Sequence, residues 1–228
     1  MAKKTKEENP QTMKNVESTL TSTEQFLELH YKELLIALGV LVLLIGIFWV
    51  GRIYLGKQNE EAQSQMYQAE RYLEMDSLNL ALNGDGNYLG FIDIANDYKF
   101  TNSGNMARYN AGICFLNLGQ YEDAIEYLEK YSRKDKLIGS LAIGALGDAY
   151  VELGDLETGV AKYIEAAEFA DNSFNTPLYL MKAGEIHELN SNYAEALKLY
   201  ERIQTEYPES TEGMSIEKYI ARVKLLMK

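Results

Sequence analysis

The chain has 228 residues, 46% of them hydrophobic and 25% charged, with a formal charge of −12 from 22 Lys+Arg against 34 Asp+Glu. That acidic surplus argues against a general nucleic-acid binder, which needs a basic surface to displace counterions. A single cysteine, Cys114, excludes an internal disulfide and any multi-cysteine metal site, and two histidines, His30 and His187, leave little for imidazole catalysis.

The charge is unevenly spread. Residues 1–59 hold 7 Lys+Arg and 6 Asp+Glu, which leaves 15 against 28 for residues 60–228. Residues 1–33 are polar with scattered apolar positions such as Val16 and Leu20, and they read as a tail, partly disordered, with at most a short interfacial helix. Leu34–Val50 then runs for 17 residues without a charge, and Ile53–Leu55 resumes it after Gly51 and Arg52. The segment 34–55 predicts a transmembrane helix of about 33 Å, enough for a hydrocarbon layer of about 30 Å. A buried core helix of this length would carry some polar face. A cleaved signal peptide would not have 33 residues ahead of its apolar run. Lys3, Lys4, Lys6, Lys14 and Lys32 precede the span, and Arg52, Lys57 and Arg71 follow it. That bias predicts a cytoplasmic N-terminus, with the acidic remainder on the far side of the cytoplasmic membrane.

Past the span, Ala62, Met66, Ala69, Leu73 and Leu80 recur at three- and four-residue steps, so a connecting helix is expected over Lys57–Leu82, within an extramembrane segment 56–84. Asn83-Gly84-Asp85-Gly86-Asn87 ends it. The chain then repeats. Gly112, Gly147 and Gly184 each sit in an apolar helical stretch, 35 and 37 positions apart. A turn with Gly119 or Gly154 follows in the first two copies. Tyr121, Ala124 and Leu128 continue the first copy, and Tyr150 and Tyr163 belong to the second. Tyr193, Ala196 and Tyr200 continue the third, which closes at Pro208.

This spacing resembles the tetratricopeptide repeat, a helix–turn–helix unit of 34 residues. The resemblance covers 85–228 and implies an all-α solenoid in which small residues sit where two helices touch and aromatics fill the wedges. The pattern departs from the family at Arg108, Gly159 and His187. A degenerate fourth unit is expected to end in Tyr88–Tyr98, with Gly90 and Ile94 in the key positions. A capping helix is expected from Ser210 to Lys228, with Met214, Ile216, Tyr219, Ile220, Val223 and Leu226 on its apolar side. The complete architecture is then one N-terminal transmembrane helix, a tetratricopeptide-repeat α-solenoid and a C-terminal capping helix.

No catalytic, cofactor or metal site is expected. His187-Glu188 begins a zincin motif, but Ser191 stands where the second His belongs. Asp85-Gly86-Asn87 fits no calcium loop register. Cys114, flanked by Ile113 and Phe115, reads as a buried inert thiol. The family resemblance implies a peptide groove on the first helix of each unit. Here that groove would hold Met106, Tyr109, Ile113 and Leu116, then Leu141, Asp148 and Val151, then Met181, Glu185 and Glu188. The carboxylate clamp of one subgroup is missing, since Tyr109 with Ile113, Gly144 with Asp148 and Met181 with Glu185 occupy its places. An apolar-to-acidic groove favours apolar or basic segments.

Along most of its length the chain resembles the YfgM-like ancillary subunits of the bacterial Sec translocon. That resemblance implies an inner-membrane protein with a periplasmic binding domain beside SecYEG, an anchored periplasmic chaperone and exported polypeptides as partners, and neither a nucleic acid nor a small-molecule substrate. The other expectation is a structural adaptor that assembles a different envelope complex.

Overall fold

A computed structural model describes residues 10–228, with side chains from Phe26 onward apart from Glu28 and Ala170. The part of the expected disordered tail before Pro10 lies outside the described residues. Helix α1 (Pro10–Glu74) begins inside that tail. The reason is legible: proline suits a first helical position, and no Gly or Pro occurs between Pro10 and Gly39. Two compact units divide the chain, residues 1–54 and 55–228. In the first, α1 carries an apolar window long enough to cross a membrane, none of it buried.

The second unit starts with the last turns of α1 and continues through α2 (Leu78–Asn83), α3 (Phe91–Asp97), α4 (Asn102–Asn117), α5 (Tyr121–Lys130), α6 (Lys136–Glu152), α7 (Leu156–Ala170), α8 (Asn175–Leu189), α9 (Tyr193–Glu206) and α10 (Ile216–Leu226). Among the described residues there is no strand. From α2 onward each helix packs on its chain neighbour, α2 also touches α4, and α6 also touches α4 and α8, which is the local connectivity of a solenoid. Ile143, Leu180, Tyr200, Ile203, Ile216 and Val223 form a continuous core from α6 to α10. Ala62, Met66 and Ala69 of α1 join Leu82, Phe91, Ile94 and Ala111 in a second cluster. Tyr131 and Leu146 anchor a third between α4 and α6.

The pairing of helices within a unit follows from small residues. A Cβ on Gly112 would lie 2.6 Å from Leu128, one on Gly147 2.7 Å from Tyr163, and one on Gly184 2.4 Å from Tyr200. Only a bare backbone allows so close an approach. Ala124 and Ala196 are fully buried on the second helices, and Gly159 takes the same place in α7, where a Cβ would lie 2.5 Å from Val151 and 3.2 Å from the Gly147 carbonyl oxygen. Ala161 is exposed and takes no part.

The turns are equally regular. Gly119 (φ 73°), Gly154 (φ 83°) and Ser191 (φ 60°) each adopt the left-handed region after the first helix. The next amide donates back five residues: Gln120 to Phe115, Asp155 to Tyr150 and Asn192 to His187, at 2.9, 2.9 and 2.8 Å. The left-handed residue donates back three, closing a Schellman motif each time. The same motif occurs once more, at the end of α1. Asp76 has φ 55°, and Ser77 donates to the Tyr72 carbonyl at 2.8 Å.

That fourth turn corrects two expectations. Lys57–Leu82 is not one helix, because Met75–Ser77 interrupts it. The degenerate unit also begins earlier than expected, with Ala69, Tyr72 and Ala81 ahead of Gly90 and Ile94. Ala69 and Ala81 are fully buried and occupy the places of Gly112 and Ala124. Gly90 caps α3 and is the small position against α2, where a Cβ would lie 2.1 Å from the Leu82 carbonyl oxygen, and Ile94 is the large, fully buried one. Ala69 and Gly112 are 43 positions apart because the segment Gly84–Gly90 is inserted after α2, and this insertion hides the period. The capping helix forms, but over Ile216–Leu226 rather than from Ser210, and Met214 and Leu226 are exposed rather than packed.

Candidate functional site

The first helices of successive units, α4, α6 and α8, carry the predicted groove residues. The N-termini of α4 and α6 are fixed by side chains: Thr101 accepts from the Gly104 amide and Asp135 from the Ile138 amide. Met106 is half-buried beside Asn59, Gln63 and Ser103, around a cavity of about 350 Å³. Tyr109, Ile113 and Leu116 pack against the α4–α6 core, and the Tyr109 ring lies 5.6 Å from Tyr131. Leu141 and Val151 pack against the α6–α10 core, and Met181, at 9% exposure, belongs to it. The apolar half of the expected groove is therefore largely engaged in holding units together. The sequence register predicted the helix but not the degree of burial, which depends on the neighbouring unit.

The acidic members behave differently. Asp148 Oδ1 accepts from Tyr163 Oη and from Lys182 Nζ, both at 2.6 Å, so one carboxylate ties α6, α7 and α8 together. Lys182 also lies 5.4 Å over the Tyr163 ring, which stacks on Tyr179 at 6.2 Å. Burial first, and then the bond to Asp148, pushes the Tyr163 phenol far above its usual range, so it stays a donor. Glu188 receives Arg222 through Nε at 2.6 Å and Nη2 at 2.8 Å, and Tyr200 Oη at 3.1 Å. This bidentate pair fastens the capping helix to α8. Glu185 stands exposed.

Glu185 and Glu188 line a cavity of about 530 Å³ with Leu189, Ser191, Tyr193, Arg222 and Leu226. Tyr193, expected as a wedge, packs half-buried against the α6–α10 core and also lines this cavity, its hydroxyl 3.4 Å from Ser191. Leu189 was missed because exposure of a leucine at a helix end leaves no periodic signal, and Leu226 was expected to pack under the capping helix but lines this cavity. Tyr150 is half-buried, and Tyr121 donates to Glu152 at 3.3 Å. Pro208 is exposed just beyond α9, where the family pattern ends a unit. Cys114 is fully buried, and desolvation pushes its thiol up to about 12.

Comparison with known proteins agrees with this geometry. Tetratricopeptide-repeat family models match residues 145–211 and 106–135. No curated protein matches the chain. Two solved structures of the nearly identical TPR-like repeats assigned to a Podosopora anserina kinesin light chain share its fold. One of them, a point variant, has a TM-score of 0.54 at 15% identity, covering 74% of this chain and 87% of the other. The second has a TM-score of 0.55 at 15% identity, covering 74% and 88%. The chain thus carries tetratricopeptide repeats in an all-helical solenoid, a scaffold that serves as a protein–protein interaction module.

Proposed function

We propose that this chain is a membrane-anchored interaction module without catalytic activity. In this reading it is an ancillary subunit of the Sec translocon that links the channel to periplasmic chaperones or to exported polypeptides. The observation that carries the reading is a chain that joins an entirely exposed apolar run to a stack of interaction repeats. An apolar helix of that length without burial needs a lipid environment. The Lys bias before the span supports a cytoplasmic N-terminus and a periplasmic repeat domain. The resemblance to YfgM-like subunits supports the choice of translocon. Anchoring has a physical use, since a weak surface held beside an exit site meets its clients at high effective concentration.

Crosslinking in intact membranes, followed by identification of the attached proteins, tests this. Translocon subunits, periplasmic chaperones or nascent exported chains are the expected products. A single folded envelope complex as the sole product would establish the structural adaptor instead. Protease digestion of spheroplasts should remove residues 56–228 and spare the tail; protection of the repeats would reverse the topology.

A further inference from the structure

The two ends of the repeat domain carry opposite charge. Residues 60–98 hold eight Asp+Glu and a single base, Arg71. Residues 216–228 hold four Lys+Arg and a single acid, Glu217, and residues 99–215 between them hold 19 acids and 10 bases. Within 60–228 a basic surplus is thus confined to the C-terminal helix α10. The densest acidic surplus belongs to the opposite end, formed by the last turns of α1 with α2 and α3.

The fold leaves both surpluses unneutralised. All eight acids of the first end are exposed, and among the described residues none of them enters an ion pair. Burial first, and then the charge of Glu74, raises the Glu70 carboxyl above its ordinary range, a sign of crowded like charges. On α10, Arg222 is taken by Glu188 and Lys224 by Glu201, at 2.6 and 2.8 Å. Lys218 has no acid against it and lies 4.9 Å over the Tyr219 ring.

Each charged end also exposes apolar surface. Ile216, Ile220 and Val223 bury the inner face of α10. Lys218, Ala221 and Leu225 follow one another at three- and four-residue steps on its outer face, all exposed, with Leu225 at 69% and Met214 at 74% just before the helix. At the other end Ala62, Met66 and Ala69 bury one face of α1. Glu60, Ser64, Tyr67, Arg71 and Glu74 occupy the opposite face, all exposed, with Tyr67 at 65%. An end of a solenoid is the surface on which a further unit would stack, and it is ordinarily sealed by a polar outer face.

We propose that the α10 end of one copy docks on the Tyr67 end of a second copy, head to tail. Charge selects this occupant: a second α10 would be repelled, and the surface richest in acid is the far end of the same chain. Met214 and Leu225 then meet the Tyr67 end, and Lys218 meets its unpaired acids. The two faces differ, so the contact is heterologous and leaves a free end on each copy. It propagates as a row rather than closing as a twofold dimer. Both surfaces lie in the unit 55–228, so the contact does not depend on the anchored reading above.

Sedimentation velocity of the full chain, in an excess of detergent micelles, tests the proposal. The native chain should form species larger than one copy that grow with protein concentration, and raising salt to about 0.5 M should weaken the association about tenfold. One variant carries Lys218→Glu with Leu225→Glu, the other Glu60→Lys with Glu74→Lys. All four positions are exposed, so the core is untouched. Each variant alone should remain a single copy. An equimolar mixture should give a one-to-one pair that grows no further, because each variant supplies the end that the other has lost. A native chain that stays a single copy at low salt overturns the proposal. So does a mixture that stays unpaired, or association of either variant alone to the native extent, which would place the contact elsewhere, the apolar run included.

Discussion

At the scale of single residues, one pattern does most of the work: a missing side chain opposite a large one. Gly184 faces the Tyr200 ring, and Gly147 faces Tyr163, at distances no real Cβ tolerates. Replacing either with alanine should cost about 1–3 kcal/mol through forced displacement of the ring, read as a lower urea midpoint with an unchanged slope. A matched change at exposed Ala161 should leave the midpoint where it is. Cys114 gives a second residue-scale expectation. Its thiol is fully buried and raised to about 12, above the ordinary value of 9.0, so the native state favours the protonated form. The stabilisation that this provides is complete below pH 9 and is lost as pH rises toward 12, because the unfolded chain releases the proton first. Ellman's reagent should therefore modify the native protein only at the rate of unfolding; prompt reaction at about pH 8 would contradict the burial.

At the scale of elements, the turns decide where helices stop. Three of the four Schellman turns were marked in the sequence, two by Gly119 and Gly154 and the third only by its place in the repeat. Ser191 adopts φ 60° without the freedom that glycine has. Ser191→Gly should raise stability by about 0.5–1 kcal/mol, and Gly154→Ser should lower it by a similar amount, both seen as shifts in melting temperature. A fall on Ser191→Gly would mean that its side chain, near the Tyr193 hydroxyl, outweighs the backbone strain. The fourth turn, at Asp76, escaped sequence reasoning. No glycine marks it, and the inserted segment after α2 lengthens the repeat beyond recognition. Its physical signature, the buried pair Ala69 and Ala81, is composed of alanines that fit any helix.

At the scale of the whole molecule, the apolar run and the repeats make separate demands. Lysines at Leu43 and Leu44 would each cost about 3 kcal/mol at a bilayer centre. The doubly substituted chain should leave the membrane fraction on carbonate extraction while its repeats retain their helical circular dichroism. Retention in the pellet would show that something other than residues 34–55 holds the protein there. Much of this organisation was readable from the chain alone. An uncharged stretch of 17 residues and three glycine-centred periods specify helix, turn and order of units, because each depends on neighbours a few positions apart. Surface and interior were decided only by the fold. Met181 and Tyr109 carry the same periodic signal as a groove residue, yet the next unit buries the first and half-buries the second. Phe100 and Phe174 look like core residues and stand in the open. Burial at a unit boundary depends on how two repeats stack, a property of residues about a full repeat apart that local spacing does not encode.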